Sequence, residues 1–159
     1  MLTALLLSST VFATEIGTSK KFGIGIASGA HYFSITGKYY LDEKSGISGY
    51  IGNSWLYQGL RANYEREFYP VGNWGWANLD LYWAAGLDLG LWTYYGNYPA
   101  VFGVGGGIGA DLQFEDIPLS IFGDVGVGLY PVNAYDSIGK FAGFGLFAPR
   151  TALGARFYF

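Results

Sequence analysis

The chain has 159 residues, no cysteine and a formal net charge of −3, with 13% charged, 51% hydrophobic and 19% aromatic residues. The length fits one domain, and the absence of cysteine excludes a disulfide framework or a thiolate metal site. The weak negative charge argues against a nucleic-acid partner, and the many aromatic residues exclude a disordered chain. Glycine, at 26 residues, is well above its usual share of roughly 7%.

The first thirteen residues have the composition of a secretory signal. MLTALLLSSTVFA has a short apolar core, followed by Val11 and Ala13, small residues at the two positions that a signal peptidase inspects. The core is too short to span a bilayer as a helix. We expect residues 1–13 to be removed and 14–159 to form one domain. A buried N-terminal strand or helix is the alternative.

From Phe22 onward, apolar residues alternate with small or polar ones at a period of two, which is the pattern of β-strands. The helical period is absent, and no run of about 18 apolar residues predicts a transmembrane helix. The alternation runs through FGIGIAS, HYFSITGKYYL, GISGYIG, GLRANYEREF, NLDLYWAAGLDLGLW, FGVGGGIGADLQFE, PLSIFGDVGVGLYP and the closing ALGARFYF. The sequence therefore predicts eight strands.

Turn-forming residues separate these strands. DEKSG at 42–46, PVGNWG at 70–75, GNYP at 96–99 and EDIP at 115–118 carry the Gly, Pro, Asn and Asp of tight reversals. Short connections between consecutive strands predict antiparallel hairpins. Eight such strands form a meander that closes into an up-and-down barrel. The remaining connection, 131–150, is long.

Either face of such a barrel can point to its axis. A soluble, lipocalin-like ligand-binding barrel turns its leucines inward, whereas a transmembrane β-barrel turns its polar face inward. The polar face here is rich in glycine and has few charges for a solvated surface. Several strands also have the roughly 10 residues that a tilted membrane strand needs. Aromatic residues near the predicted strand ends complete the pattern of a membrane barrel. This predicted aromatic girdle comprises Trp74, Trp76, Trp92, Tyr94, Tyr95, Phe157 and Phe159.

The end of the chain resembles the assembly signal of bacterial outer-membrane β-barrels. Phe159 is the last residue, and Leu153, Ala155 and Phe157 precede it at every second position. With the secretory signal and eight strands, the mature chain is similar to the small OmpA/OmpX-like barrel class. The resemblance implies a Gram-negative outer membrane, insertion by the barrel assembly machinery, and termini and short turns in the periplasm. The 131–150 loop then lies outside the cell.

The polar face supplies the charges of the predicted lumen, which are Lys21, Lys38, Arg61, Glu65, Glu67, Asp80, Asp88, Asp111, Glu115, Asp124 and Arg156. Eight strands leave an interior just wide enough for side chains to fill. We therefore expect a plugged barrel whose charges pair with one another. The excess of carboxylates leaves a small cation-favouring pore as an alternative.

Glycines on two adjacent predicted strands also point inward, namely Gly103, Gly105, Gly107, Gly109, Gly126 and Gly128. Bare backbone leaves space inside the barrel. Either large neighbours fill it (Tyr40, Tyr50, Tyr57, Tyr82 and Trp92 are the candidates), or an acyl chain or a loop does. Glycine also eases the strong curvature of a small barrel.

The residues that catalysis would need are sparse, so we expect no enzyme. The sole histidine, His31, lies near Ser28 and Ser34, but no carboxylate is close in sequence to complete a triad. A lipid A acyl hydrolase or acyltransferase is the alternative. GVGGGIG lies within a strand and lacks the helix and lysine of a phosphate loop. No cluster has metal-ligand spacing, and we expect no cofactor.

The predicted outer loop contains KFAGFGLFAP, an apolar stretch for a segment in water. Exposed apolar stretches mark contacts, so the candidate contact residues are Phe141, Phe144, Leu146 and Phe147. Packing over the barrel mouth, resting on the membrane and extending the last hairpin are alternatives. We expect an outer-membrane barrel with a structural or protein-interaction role, such as an accessory subunit of a larger assembly. Its partners would be lipid, the assembly machinery, and a protein bound through this loop or the lipid-facing side.

Overall fold

The computed structural model describes residues 16–29, 33–53, 57–92, 100–132 and 147–159. These residues form eight β-strands and contain no helix. The strands are β1 (Phe22–Gly29), β2 (Phe33–Tyr40), β3 (Ser45–Asn53), β4 (Tyr57–Asn73), β5 (Ala77–Trp92), β6 (Ala100–Phe114), β7 (Leu119–Val132) and β8 (Phe147–Tyr158). Each strand pairs antiparallel with the next, and β8 pairs with β1. The predicted eight-stranded, closed antiparallel barrel is confirmed.

The strand pairings show that the barrel is strongly staggered. A path perpendicular to the strands leaves β4 at Gly59, crosses all the other strands and returns to β4 at Pro70, eleven residues further on. One of those residues is Phe68, the extra residue of a β-bulge. The stagger is therefore about ten residues, and closing a sheet with such a stagger requires tilted strands.

The two faces of the wall differ in the way that the alternation predicts. Leu87, Val127 and Phe157 are 47%, 62% and 45% exposed on the outer face, whereas Asp88, the neighbour of Leu87, is 3% exposed. The outer face is a belt of apolar side chains, and most charged side chains of the described strands lie within. No helix in the described ranges is long and apolar enough to cross a membrane.

The short turns lie at one end of the barrel, which we call the turn end. They span 41–44, 74–76 and 115–118, and Phe159 lies at the same end. In the first turn, Asp42 Oδ1 accepts the backbone N–H groups of Lys44 at 2.8 Å and Ser45 at 2.7 Å. The opposite end is called the loop end. Its connections, including the predicted turn at 96–99, lie outside the described residues.

Two predicted boundaries are wrong. The predicted turn at 70–75 is mostly strand, because β4 continues to Asn73 through two bulges. Pro70 lies next to a bulge in the part of β4 that pairs only with β5, and bulges and edges are where sheets tolerate proline. The predicted 131–150 connection is too long, because β7 reaches Val132 and β8 begins at Phe147.

Candidate functional site in the barrel interior

The turn half of the interior is centred on Lys38, which β2 directs toward the axis. Its Nζ lies 3.2 Å from Glu65 Oε2 on β4 and 3.6 Å from Asp111 Oδ2 on β6. Ser48 Oγ donates a hydrogen bond to the other oxygen of Glu65. All four side chains are buried. The lysine therefore joins strands from different sides of the barrel through its own ion pairs.

Arg156 of β8 is the second cation of this half. Its guanidinium donates to Thr36 Oγ1 at 3.0 and 3.2 Å and to Tyr50 OH at 2.8 Å. The same group lies 3.7 Å from the centre of the Phe122 ring, as in a cation–π contact. It also lies 4.0 Å from Glu65 Oε2. Because Arg156 is 1% exposed, these neighbours take the place of water around its charge.

A smaller group lies next to the turn end. Gln113 Nε2 donates to Tyr40 OH at 3.0 Å, and Tyr40 OH donates to Glu67 Oε1 at 3.1 Å. Ile16, which precedes the first strand, is buried against Tyr40 and Tyr158. Residues 16–20 thus cover the interior at this end with one apolar side chain.

The loop half holds a separate cluster around Asp88. This residue pairs with Arg61 across β4 and β5, and Arg61 Nε donates to Asp88 Oδ1 at 2.8 Å. Arg150 Nε of β8 lies 2.9 Å from Asp88 Oδ2, and Arg150 Nη2 donates to Asn63 Oδ1 at 3.0 Å. Tyr130 OH donates to Asp88 Oδ2 at 2.9 Å. One carboxylate thus holds two arginines and a tyrosine.

Tyrosine rings fill the space beside the inward glycines. A Cβ on Gly103 would lie 2.5 Å from the Tyr130 ring, and one on Gly128 would lie 2.7 Å from it. The Tyr82 ring covers Gly109 in the same way. Gly103, Gly109 and Gly128 are therefore positions where a large side chain approaches the wall closely. Tyr82 was among the predicted fillers, whereas Tyr130 was not.

The interior charges form ion pairs and hydrogen bonds with one another. In the part of the chain that the structure describes, few nucleophilic or basic groups lie close together. Neither carboxylate oxygen of Asp111 accepts a hydrogen bond from the described residues, although the side chain is fully buried and paired with Lys38. Within the described ranges, no group of three or more His, Asp or Glu side chains could hold a metal ion. Ser34 Oγ donates to Ala27 O at 3.2 Å and Ser28 is exposed, while His31 lies outside the described residues.

The predicted lumen residues are placed as follows. The side chains of Lys38, Arg61, Glu65, Asp88, Asp111 and Arg156 are buried inside the barrel. Asp80, which faces Asp111 across β5 and β6, and Asp124, which accepts a 3.4 Å hydrogen bond from Tyr82, are partly exposed. Lys21 is exposed and precedes β1, so it does not belong to the buried group.

The predicted girdle residues that are described cluster at the turn end. Trp74 and Trp76 have ring centres 6.2 Å apart, and Trp76 also contacts Phe114 at 5.9 Å. Phe157 and Phe159 lie 5.3 Å apart, ring to ring, at the end of β8. The backbone N–H of Phe159 donates to Phe22 O at 2.8 Å, which attaches the last residue to β1. Tyr94, Tyr95 and the side chain of Trp92 lie outside what the structure describes.

The predicted contact residues of the outer loop are only partly described. Phe141, Phe144 and Leu146 lie outside the described residues. Phe147 is 64% exposed, but it is the first residue of β8 rather than part of a loop.

Arg150 is the buried charged residue of the interior that the sequence prediction missed. Its position alternates with Ala152, Gly154 and Arg156 on the inner face of β8, so the period-two pattern could have found it. Pro149 obscured that pattern, because proline usually ends a strand. Here Pro149 pairs with Val127 within the β7–β8 ladder.

The fold and its interior define the class of this protein as a closed, eight-stranded antiparallel β-barrel with a charged, side-chain-filled core. Comparisons with protein-family models, with curated proteins and with solved structures found no match.

Proposed function

We propose that this chain is an integral outer-membrane β-barrel of the small OmpA/OmpX-like class, with a structural or protein-interaction role. An accessory subunit of a larger outer-membrane assembly is one form of that role. The observation that carries the proposal is the distribution of side chains. Exposed Ile, Leu, Val and Phe side chains cover the outer wall, and Lys38, Arg61 and Arg156 are almost wholly buried within.

The outer face would be unfavourable in water. Ile51, Val127 and Leu153 are 67%, 62% and 65% exposed, and many large apolar neighbours are similarly exposed. Removing one such side chain from water is worth about 1.5–3 kcal/mol. A monomer in water rarely exposes apolar surface over such an extent. In a bilayer the same face would contact hydrocarbon, and the closed ladder satisfies the backbone without water.

The aromatic rings at the turn end support the same proposal. Trp74, Trp76 and Phe114 on one side of the barrel, and Phe157 and Phe159 on another, lie at the edge of the apolar belt. Aromatic residues gather at the two membrane–water boundaries of transmembrane barrels. The turn end would then lie at headgroup level on the periplasmic side.

The filled interior favours a structural role over conduction. Ion pairs centred on Lys38 and Asp88 cross the interior at two levels, and Ile16 covers the turn end. Purified protein in planar bilayers should therefore show no steady channels. Regular cation-selective openings would instead support the pore alternative.

The membrane proposal is tested by expressing the full chain in a Gram-negative host. We expect the protein in the outer-membrane fraction, shortened by the first thirteen residues, and soluble only with detergent. A protein that is monodisperse without detergent would contradict the proposal and favour a ligand-binding barrel. Pull-down from native membranes in mild detergent then tests the interaction role, with an unrelated barrel of similar size as the control.

A further inference from the structure

The outer wall has a cleft at the level of the turn half. Its volume is about 390 Å³, and Phe68, Leu81, Ile108, Gly123 and Val125 are among the residues that line it. It lies along the pairing of β6 with β7, where Gly123 lines it and Ala110 is the partner of Gly123 across the two strands. The small residues leave a depression beside the larger side chains of Leu81, Ile108 and Val125.

We propose that this cleft holds one acyl chain of a phospholipid from the membrane leaflet at the turn end. The inference rests on the proposed membrane location and adds a defined lipid site to it. The lining side chains are apolar. Asp124 also borders the cleft, but its carboxylate accepts a hydrogen bond from Tyr82 in the interior, so it offers its backbone to the outside. The site therefore gives a polar partner no side chain to bind.

The distance to the aromatic rings favours a lipid chain as the occupant. Phe114 and Ala110 are four residues apart on β6, which is about 13 Å along a strand at 3.3 Å per residue. A lipid whose headgroup lies at the level of Phe114 and Trp76 would place the middle of its chain in the cleft. Leu112, between Phe114 and Ala110 on the same face, lines the route.

Packing explains why an acyl chain would stay in the cleft rather than exchange freely with other lipids. Lipid tails are as apolar as leucine, so a hydrophobic transfer term does not favour one annular position over another. An unfilled depression loses dispersion contacts along its whole lining. A chain seated between Ile108 and Val125 on one side and Phe68 and Leu81 on the other regains those contacts, and a flat part of the belt offers fewer.

The test fills the cleft with protein atoms. Gly123 has ordinary room for a side chain, since a Cβ there would lie 3.5 Å from Leu153 Cδ1 and 3.7 Å from Ala152 O. Gly123→Leu should therefore fold and occupy the cleft. Gly49→Leu is the matched control: Gly49 lies on β3, far around the barrel, and a Cβ there would lie 3.9 Å from its nearest neighbour, Arg61 O.

The proteins are purified from native membranes in mild detergent and weighed by native mass spectrometry. Wild type and Gly49→Leu should each retain one phospholipid, and Gly123→Leu should lose that adduct. Ala110→Leu, which fills the depression from β6, should lose it too and serves if Gly123→Leu does not fold. Equal phospholipid on wild type and the cleft variants, a lipid A adduct instead, or loss of a bound protein instead would each overturn the inference. Failure of the membrane proposal is distinct, because wild type would then be soluble without detergent.

Discussion

The inner and outer faces of the wall obey different rules, although they alternate along the same strands. On β5, Leu87 and Asp88 are adjacent, yet Leu87 lies outside at 47% exposure and Asp88 is held by Arg61 and Arg150 at 3% exposure. Each buried inner charge has specific partners at defined distances. The outer side chains need only be apolar. The stability lost on substitution should therefore depend on individual partner residues inside the barrel. On the outer face it should depend on whether the surroundings are lipid or water.

The largest effect is expected from Lys38→Met. The variant keeps much of the volume of the side chain but leaves Glu65 and Asp111 without their shared cation. Breaking a buried ion pair from one side costs about 3–5 kcal/mol. Urea unfolding in detergent or lipid, followed by tryptophan fluorescence, measures the loss of unfolding free energy.

Lys21→Met is the matched control for that substitution, because Lys21 is exposed and precedes β1. Its unfolding free energy should match that of wild type. If the two methionine variants lost similar amounts, the inner face would not depend on individual partners.

The next effect concerns the outer face, where Ile35 lies between Ile26 and Ile51 and is 56% exposed. In a bilayer, Ile35→Arg should cost about 2–4 kcal/mol, as an arginine deep in the hydrocarbon does. Ile117→Arg, in the turn at 115–118, should cost little because that residue lies at the turn end. Unfolding in phospholipid vesicles compares the two variants. If Ile35→Arg instead left stability unchanged and raised solubility without detergent, the outer face would be a surface in water.

A smaller loss of stability is expected when an inward glycine is replaced by alanine, and none when an outward glycine is replaced. Gly103→Ala places a methyl group against the Tyr130 ring and disturbs the bond from Tyr130 OH to Asp88. Overpacking of this kind costs about 1–3 kcal/mol. Gly49→Ala, on the outer face with open space around it, should be neutral or slightly stabilising. Equal losses in the two variants would show that the cost arises from the strand backbone rather than from the tyrosine ring.

The sequence predicted the wall well, because the wall depends on local patterns. Alternation with a period of two assigned Leu87 outward and Asp88 inward, and the turn residues at 115–118 gave the reversal between β6 and β7. These patterns need only neighbouring residues. They are less informative at strand ends, because the alternation continues to Lys21 before β1 and Pro149 interrupts it near the start of β8.

The contacts inside the barrel could not be predicted in the same way. Arg156 meets Thr36, which is 120 residues earlier, and Arg150 meets Asn63, which is 87 residues earlier. Which inner residues meet depends on the stagger of the closed sheet, and the stagger depends on all eight pairings together. The sequence could therefore predict most of the charges that point inward, but it could not predict which residues they contact.

The smallest effect belongs to Asp42, which lies on neither face of the wall. The backbone N–H of Lys44, followed by that of Ser45, holds the pKa of Asp42 below its ordinary value of 3.8. Because the folded pKa is the lower one, this stabilisation is present above 3.8 and disappears as the pH falls through the folded pKa. Asp42→Ala should therefore be slightly less stable than wild type at neutral pH and equal to it in strong acid. A gap in unfolding free energy that persists in strong acid would mean that the aspartate acts through turn geometry rather than charge.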